Sequence, residues 1–227
     1  MGLAIFCDFD ETITRDNVTD GVLKKFADPR WLEIQEMWLA GKLSAREVLE
    51  KQMPLVDVTE GDLDSYVNSV EVDPHFVEFA LSCHQNNDSL YILSDGFDYW
   101  IERILQRAFS AANGRAKRIP VYACKLKLEE SKFAISFPYF PQGCVHGCAT
   151  CKPALFNQLK LSAEKTIVIG DGVSDKLLAK GSDLVIAKDG LREFCQREKI
   201  DNHPFSDFHD VLRIVNGYRN SALGDPQ

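Results

Sequence analysis

No stretch of the 227-residue chain approaches the roughly 18–20 consecutive apolar residues that a bilayer span requires, so a membrane-spanning helix is not expected. Clustered cations are equally scarce. Against 34 Asp and Glu stand 26 Lys and Arg, a formal net charge of −8. A nucleic-acid partner would need a basic patch, so none is expected, and an anionic ligand would have to be met by local cations or a metal. No internal repeat and no low-complexity tract is present. The first residues pass straight into an apolar run without a leader pattern, from which a cytoplasmic location is expected. Seven cysteines, an odd number without an export signal, then read as thiols or metal ligands rather than a disulfide framework. What remains is an ordinary globular composition, 45% apolar and 26% charged, long enough for one main domain with a sizeable insertion.

Four short apolar runs read as strands: Leu3–Cys7, Leu90–Leu93, Thr166–Ile169 and Leu184–Ala187. Between them lie helical spacings at Tyr99–Phe109, Ala154–Leu159 and Asp175–Lys180. That alternation predicts an α/β fold with a doubly wound, mostly parallel sheet. Residues 1–16 and 80–216 are assigned to this core. Residues 17–79 break the alternation, with apolar positions every three or four residues interrupted at Pro29, Gly41, Pro54 and Gly61, and are expected to form an inserted helical cap. Val121–Phe137 alternates apolar and polar residues about Glu129-Glu130-Ser131 and predicts a β-hairpin. The polar stretch 217–227 is expected to be a loose tail.

Acids and hydroxyls follow three of the four strands. Asp8, Asp10 and Thr12 close the first in "FCDFDETIT", Ser94 closes the second in "YILSDGFD", and Asp171 and Asp175 follow the third in "VIGDGVSD", with Lys152 just before the helix leading to it. Parallel strands would gather all of them at one sheet edge, where doubly wound folds bind ligands. Singly, each has an ordinary reading as a turn, a cap or a solvated lysine. Together and in this order they point to one site.

This pattern resembles the haloacid dehalogenase superfamily phosphatases, which carry Asp-x-Asp-x-Thr, a strand-end Ser or Thr, a Lys, and Gly-Asp-x-x-x-Asp. The resemblance implies a Rossmann-like core with a cap and a phosphomonoester hydrolase acting on a small phosphorylated metabolite. Asp8 would be the nucleophile that forms an aspartyl-phosphate, and Asp10 the general acid and then base. Asp8, Asp10 through its carbonyl, Asp171 and Asp175 would hold Mg²⁺, an all-oxygen set suited to a hard cation. Ser94, Thr12, Asp95, Gly96 and Lys152 would bind phosphate. A homodimer is allowed for. Many relatives have Gly where Glu11 stands, and Glu11 is expected to point outward or toward the cap.

Within the superfamily, the run Trp31–Leu55, "LSDGFDYWI", "CVHGCATCKP" and "SDLVIAKDGL" resemble the 2-hydroxy-3-keto-5-methylthiopentenyl-1-phosphate phosphatases of methionine salvage. Phosphoserine phosphatases place a Glu where Asn17 stands, which makes an amino-acid phosphate a poorer fit. Phosphoethanolamine and phosphocholine phosphatases share Asp-Glu-Thr and are the alternative reading, and a phosphometabolite sensor is the non-enzyme one. Phe97, Tyr99, Trp100, Trp31 and Trp38 suit either a substrate wall or core packing. Arg15, Arg46 and Arg103 carry no signal beyond solvated charge. Cys144-x3-Cys148-x2-Cys151, with His146 inside and Lys152 next, fits a zinc knot or plain thiols, the compressed spacing favouring thiols.

Overall fold

The computed structural model describes residues 2–111, 119–129, 132–145 and 147–222. Its centre is a seven-stranded sheet in the order β4-β3-β2-β1-β5-β6-β7. The strands are β1 (Leu3–Cys7), β2 (Ser89–Phe97), β3 (Val121–Glu129), β4 (Lys132–Ser136), β5 (Lys165–Gly170), β6 (Leu184–Ala187) and β7 (His203–Pro204). All neighbours are parallel except β3 and β4, the expected hairpin, in which Leu126 faces Ile135. Residues 130 and 131 of its turn lie outside the described residues.

The helices are α1 (Val18–Phe26), α2 (Trp31–Leu39), α3 (Ala45–Gln52), α4 (Glu60–Ser69), α5 (Phe76–Gln85), α6 (Asp98–Ala111), α7 (Lys152–Leu159), α8 (Lys176–Ala179), α9 (Asp189–Glu198) and α10 (Phe208–Ala222). β1 is buried throughout because its two faces serve two cores. Leu3, Ile5 and Cys7 join the larger cluster, which includes Phe76, Phe79 and Phe208 from α5 and α10. Ala4 and Phe6 turn to the other face, where Phe6 meets Phe156 of α7 edge-on at 4.8 Å.

The four helices α1 to α4 are inserted through a pair of adjacent linkers. Thr14 and Val72 form an antiparallel bridge, flanked by Arg15 N–H to Glu71 O at 3.1 Å and Asp73 N–H to Ile13 O at 2.9 Å. The boundary expected at 79/80 falls inside α5, which packs on β2 and α10 and belongs with the sheet. Its apolar positions have the same spacing as the inserted helices, so periodicity could not separate them. The expected tail is also shortened. α10 runs to Ala222 because Val211 and Val215 are buried and Leu212, Ile214 and Tyr218 pack against the core, while Arg219 pairs with Asp88. Residues 223–227 lie outside the described residues.

Candidate active site

The parallel register places Cys7 beside Ile92 of β2 and Ile169 of β5, so the residues that follow these positions emerge at one edge. Asp8 extends the ladder by donating its N–H to Ile169 O at 2.9 Å, and its Oδ1 accepts the Phe9 N–H at 2.7 Å. Lys152, the first residue of α7, is 1% exposed and reaches three groups. Its Nζ lies 2.8 Å from Asp8 Oδ1, and it donates at 2.8 Å to Asp175 Oδ1 and to Ser174 Oγ. Burial opposes its charge, but Asp175, Asp8 and Asp95 more than offset that, so the ammonium is held above its ordinary range.

Asp10 anchors the first inserted helix: its Oδ1 accepts the Val18 N–H at 2.8 Å, at the start of α1. Burial lifts its carboxyl to about 7, the Val18 hydrogen bond opposing and Asp8 adding to the rise. A group so tuned carries a proton close to neutrality. Glu11 adopts φ +54°, the left-handed region, and is exposed while contributing to the cavity lining. That conformation gives a physical reason for glycine at this position in relatives.

Asp171 and Asp175 complete an acidic cluster with Asp8, in which ligand atoms of all three lie within 4.8 Å of one another. Burial, and then Asp8, raise Asp171 to about 6 and push Asp175 up as well. Among the described residues Asp175 Oδ2 is buried without a hydrogen-bond partner. An orphaned buried carboxylate oxygen beside two other carboxylates is a fitting place for a hard divalent cation with oxygen ligands. Gly170 permits this arrangement, since a Cβ there would stand 2.4 Å from Asp175 Oδ2.

Two expected phosphate ligands have other partners. Thr12 is buried and donates its hydroxyl to Asp171 Oδ1 at 2.8 Å, so it orients a carboxylate of the cluster and does not line the cavity. Asp95 turns its side chain to the loop before Lys152, accepting N–H groups from Ala149 at 3.1 Å and Thr150 at 2.6 Å. Ser94 and Gly96 line the cavity from within β2 rather than beyond it: the strand continues to Phe97 through a register shift between Leu93 and Phe97. Ser94 Oγ accepts the Gly96 N–H at 2.9 Å. A Cβ on Gly96 would lie 2.8 Å from Asp10 Oδ2, so only glycine lets the bulged strand approach that acid.

These groups floor a cavity of about 310 Å³ whose far wall comes from α1, α2 and α3. Trp38, Val48, Leu49, Gln35 and Gln52 line it there, with Asn17, Thr19 and Asp20 at the side. Lys152 is the one cationic side chain in that lining among the described residues. Asn17 Oδ1 caps α1 by accepting the Asp20 N–H at 3.0 Å. Of the aromatics considered, Phe97, Trp100 and Trp31 are buried in the core and Trp38 reaches the cavity. The arginines are engaged elsewhere: Arg15 with Glu71, Arg46 with Glu50 and the rings of Phe137 and Phe140, Arg103 with Asp64 and the Tyr99 ring. Sequence reasoning missed Gln35 and Gln52, which carry no motif, Ser174, which fills an unspecified position of Gly-Asp-x-x-x-Asp, and the steric role of Gly96.

The sheet carries carboxylates at the ends of its central strands β1 and β5, faced by a lysine at the start of α7, and residues 5–180 match the family model of the haloacid dehalogenase-like hydrolases. The chain belongs to that family and is a phosphatase. It is 32% identical over 217 residues to the 2-hydroxy-3-keto-5-methylthiopentenyl-1-phosphate phosphatase of Brevibacillus brevis, covering 94% of this chain and 95% of that one. The enzyme of the same name from Geobacillus thermodenitrificans is 30% identical over 213 residues, covering 92% and 94%. Among solved structures, a probable phosphoserine phosphatase from Vibrio cholerae superposes with TM-score 0.73 at 16% identity, over 98% of this chain and 67% of that one. A phospho-aspartyl intermediate analogue of phosphoserine phosphatase gives 0.69 at 18% identity, over 94% and 98%. Among the described residues no helix is long and apolar enough to cross a membrane.

Proposed function

We propose that the chain hydrolyses a small phosphate monoester through an aspartyl-phosphate on Asp8, and that its substrate is 2-hydroxy-3-keto-5-methylthiopentenyl-1-phosphate. The observation that carries the substrate reading is the composition of the cavity. Its floor holds Lys152 and the carboxylates, whereas its far wall offers Trp38, Val48 and Leu49 with the amides of Gln35 and Gln52. An uncharged chain ending in a thioether suits such a wall. Among the described residues a substrate carboxylate would find no second cation there, which disfavours phosphoserine.

Asp8 attacks phosphorus as the ester P–O bond breaks, and Asp10 gives its proton to the departing oxygen. Asp10 then takes a proton from the water that attacks the phosphoryl-aspartate at phosphorus, which frees inorganic phosphate and restores Asp8. Lys152 fixes Asp8 and balances charge on the transferring group, and Ser94 donates to a phosphate oxygen. Asp8, Asp171 and the Asp10 carbonyl would hold Mg²⁺, with Asp175 as a ligand or a water-orienting group. When bound, the ion offsets the repulsion between the nucleophile and a phosphate dianion.

Phosphocholine or phosphoethanolamine is favoured by one observation, the acids Glu11 and Asp20 lining the same cavity, where they could meet an ammonium. The deciding measurement is kcat/KM for the methylthiopentenyl phosphate against phosphocholine, phosphoethanolamine and phosphoserine, because the ratio reports differential transition-state binding. The methylthiopentenyl ester is expected to lead by more than about tenfold, equivalent to ~1.4 kcal/mol. A tenfold lead for any of the other three would replace it as substrate.

A further inference from the structure

The segment between β4 and α7 carries Cys144, Cys148 and Cys151, which the catalytic reading does not use. Their side chains converge. Cys144 Sγ lies 3.6 Å from Cys148 Sγ and 3.5 Å from Cys151 Sγ, and ligand atoms of all three are within 4.8 Å of one another. Four thiolates or three plus another ligand around zinc, with Zn–S about 2.3 Å, stand roughly 3.8 Å apart along each tetrahedral edge. The sulfurs therefore already occupy much of one tetrahedral face. Cys151 is buried and the other two are half-buried, beside a surface cavity of about 220 Å³ lined by Cys144, Val145, Cys151 and Pro153. That leaves an approach for an ion from solvent.

We propose that Cys144, Cys148 and Cys151 form a second metal site, a three-thiolate site for zinc, separate from the carboxylate cluster. Ligand chemistry sorts the two ions: sulfur selects a borderline-soft ion such as zinc, and the all-oxygen set selects Mg²⁺. Binding replaces the three S–H bonds by S–Zn bonds and releases the thiol protons to solvent, while a water or a further side chain completes the tetrahedron.

The site's position gives it a task. Cys151 precedes Lys152 and caps α7, donating its N–H to Tyr139 O at 3.0 Å and accepting the Leu155 N–H at 3.1 Å. On its other side the same loop receives the inserted helices: Gly147 O accepts the Ala45 N–H at 2.8 Å, at the start of α3, and Arg46 stacks on Phe137 and Phe140 at 5.0 and 4.9 Å. Zinc here would lock one short loop that both presents Lys152 to Asp8 and seats α3. The lock rests on the role given to Lys152 above, whereas the metal site itself does not.

The test uses the full chain, reduced, incubated with Zn²⁺ and passed through a desalting column into metal-free buffer. Elemental analysis should find about one zinc per chain, falling below about one tenth in Cys148→Ser and unchanged in Cys195→Ser, a buried residue of α9 in a separate apolar cluster. Co²⁺ added to the zinc-free wild type should give sulfur-to-cobalt charge-transfer absorption, a readout that needs no variant. Absence of both retained zinc and that absorption would overturn the site. Removing zinc at saturating Mg²⁺ should lower kcat for p-nitrophenyl phosphate at least about tenfold, and an unchanged kcat would overturn the lock. A chain that binds zinc yet hydrolyses no phosphate ester would instead overturn the proposed function and leave the thiolate site standing.

Discussion

Replacing Lys152 by Met removes the charge at the junction of three polar groups while keeping a side chain of similar length. In the native protein its Nζ is 2.8 Å from Asp8 Oδ1, Asp175 Oδ1 and Ser174 Oγ, and the residue is almost wholly enclosed. Without it, Asp8 and Asp175 have no other ion pair among the described residues. Breaking a buried ion pair by deleting one partner costs about 3–5 kcal/mol. For a chain of this size each kcal/mol moves the midpoint of thermal unfolding by about 2–4 °C, so Lys152→Met should melt some 6–20 °C lower, measured without divalent ions. Ser174→Ala deletes a neutral contact of about 1 kcal/mol and should lower the melt by only about 2–4 °C. The catalytic loss is separate: removing a preorganised electrostatic group costs about 10²–10³ in kcat. Assayed with p-nitrophenyl phosphate well below the variant's melting range, Lys152→Met should show that loss. A variant that melts within about 2 °C of wild type and turns over within about threefold of it would refute the account of Lys152 as the counter-charge of this cluster.

Asp8→Asn should abolish turnover, whereas Asp10→Asn should still release p-nitrophenol slowly, because that leaving group needs no proton; near-normal steady-state hydrolysis by Asp8→Asn would end the assignment. Passage into Mg²⁺-free buffer should remove hydrolysis and added Mg²⁺ should return it, full activity without any divalent ion being the contrary result. Gly96→Ala places a methyl group 2.8 Å from Asp10 Oδ2, and should lower kcat by about 10–10² through displacement of the acid, with overpacking of about 1–3 kcal/mol lowering the unfolding midpoint by about 2–12 °C.

The strands were legible where both faces are buried. Leu3–Cys7 and Leu184–Ala187 end where their apolar runs end, because full burial leaves no room for a polar residue. β2 extends four residues past the expected end at Leu93, since Ser94-Asp95-Gly96 looks like turn chemistry and is a bulged strand continuing to Phe97. β7 spans two exposed residues and leaves no pattern at all. At the site, the order of elements led to the expectation that Asp8, Asp10, Lys152, Asp171 and Asp175 meet, and they do lie together, because parallel strands deliver the acids to one edge and α7 brings the lysine to them. It could not assign partners. Thr12 serves Asp171 and Asp95 serves Ala149 and Thr150, choices made by tertiary distance rather than by anything local. The cysteines illustrate the same limit, since an x3/x2 spacing is silent on whether three sulfurs meet.

The bridge between Thr14 and Val72 bears on how the chain could diversify. The inserted helices leave and re-enter the sheet domain side by side, so the residues between them form a closed loop of about 57 residues whose closure entropy, on the order of 3–4 kcal/mol, is met once by a few backbone hydrogen bonds. Because that cost grows only with the logarithm of length, a longer or shorter insertion could be grafted at the same two positions with little effect on the sheet. The two walls of the cavity could then change independently: the inserted module carries Trp38, Val48 and Leu49, and the sheet domain carries Asp8, Lys152 and Asp171.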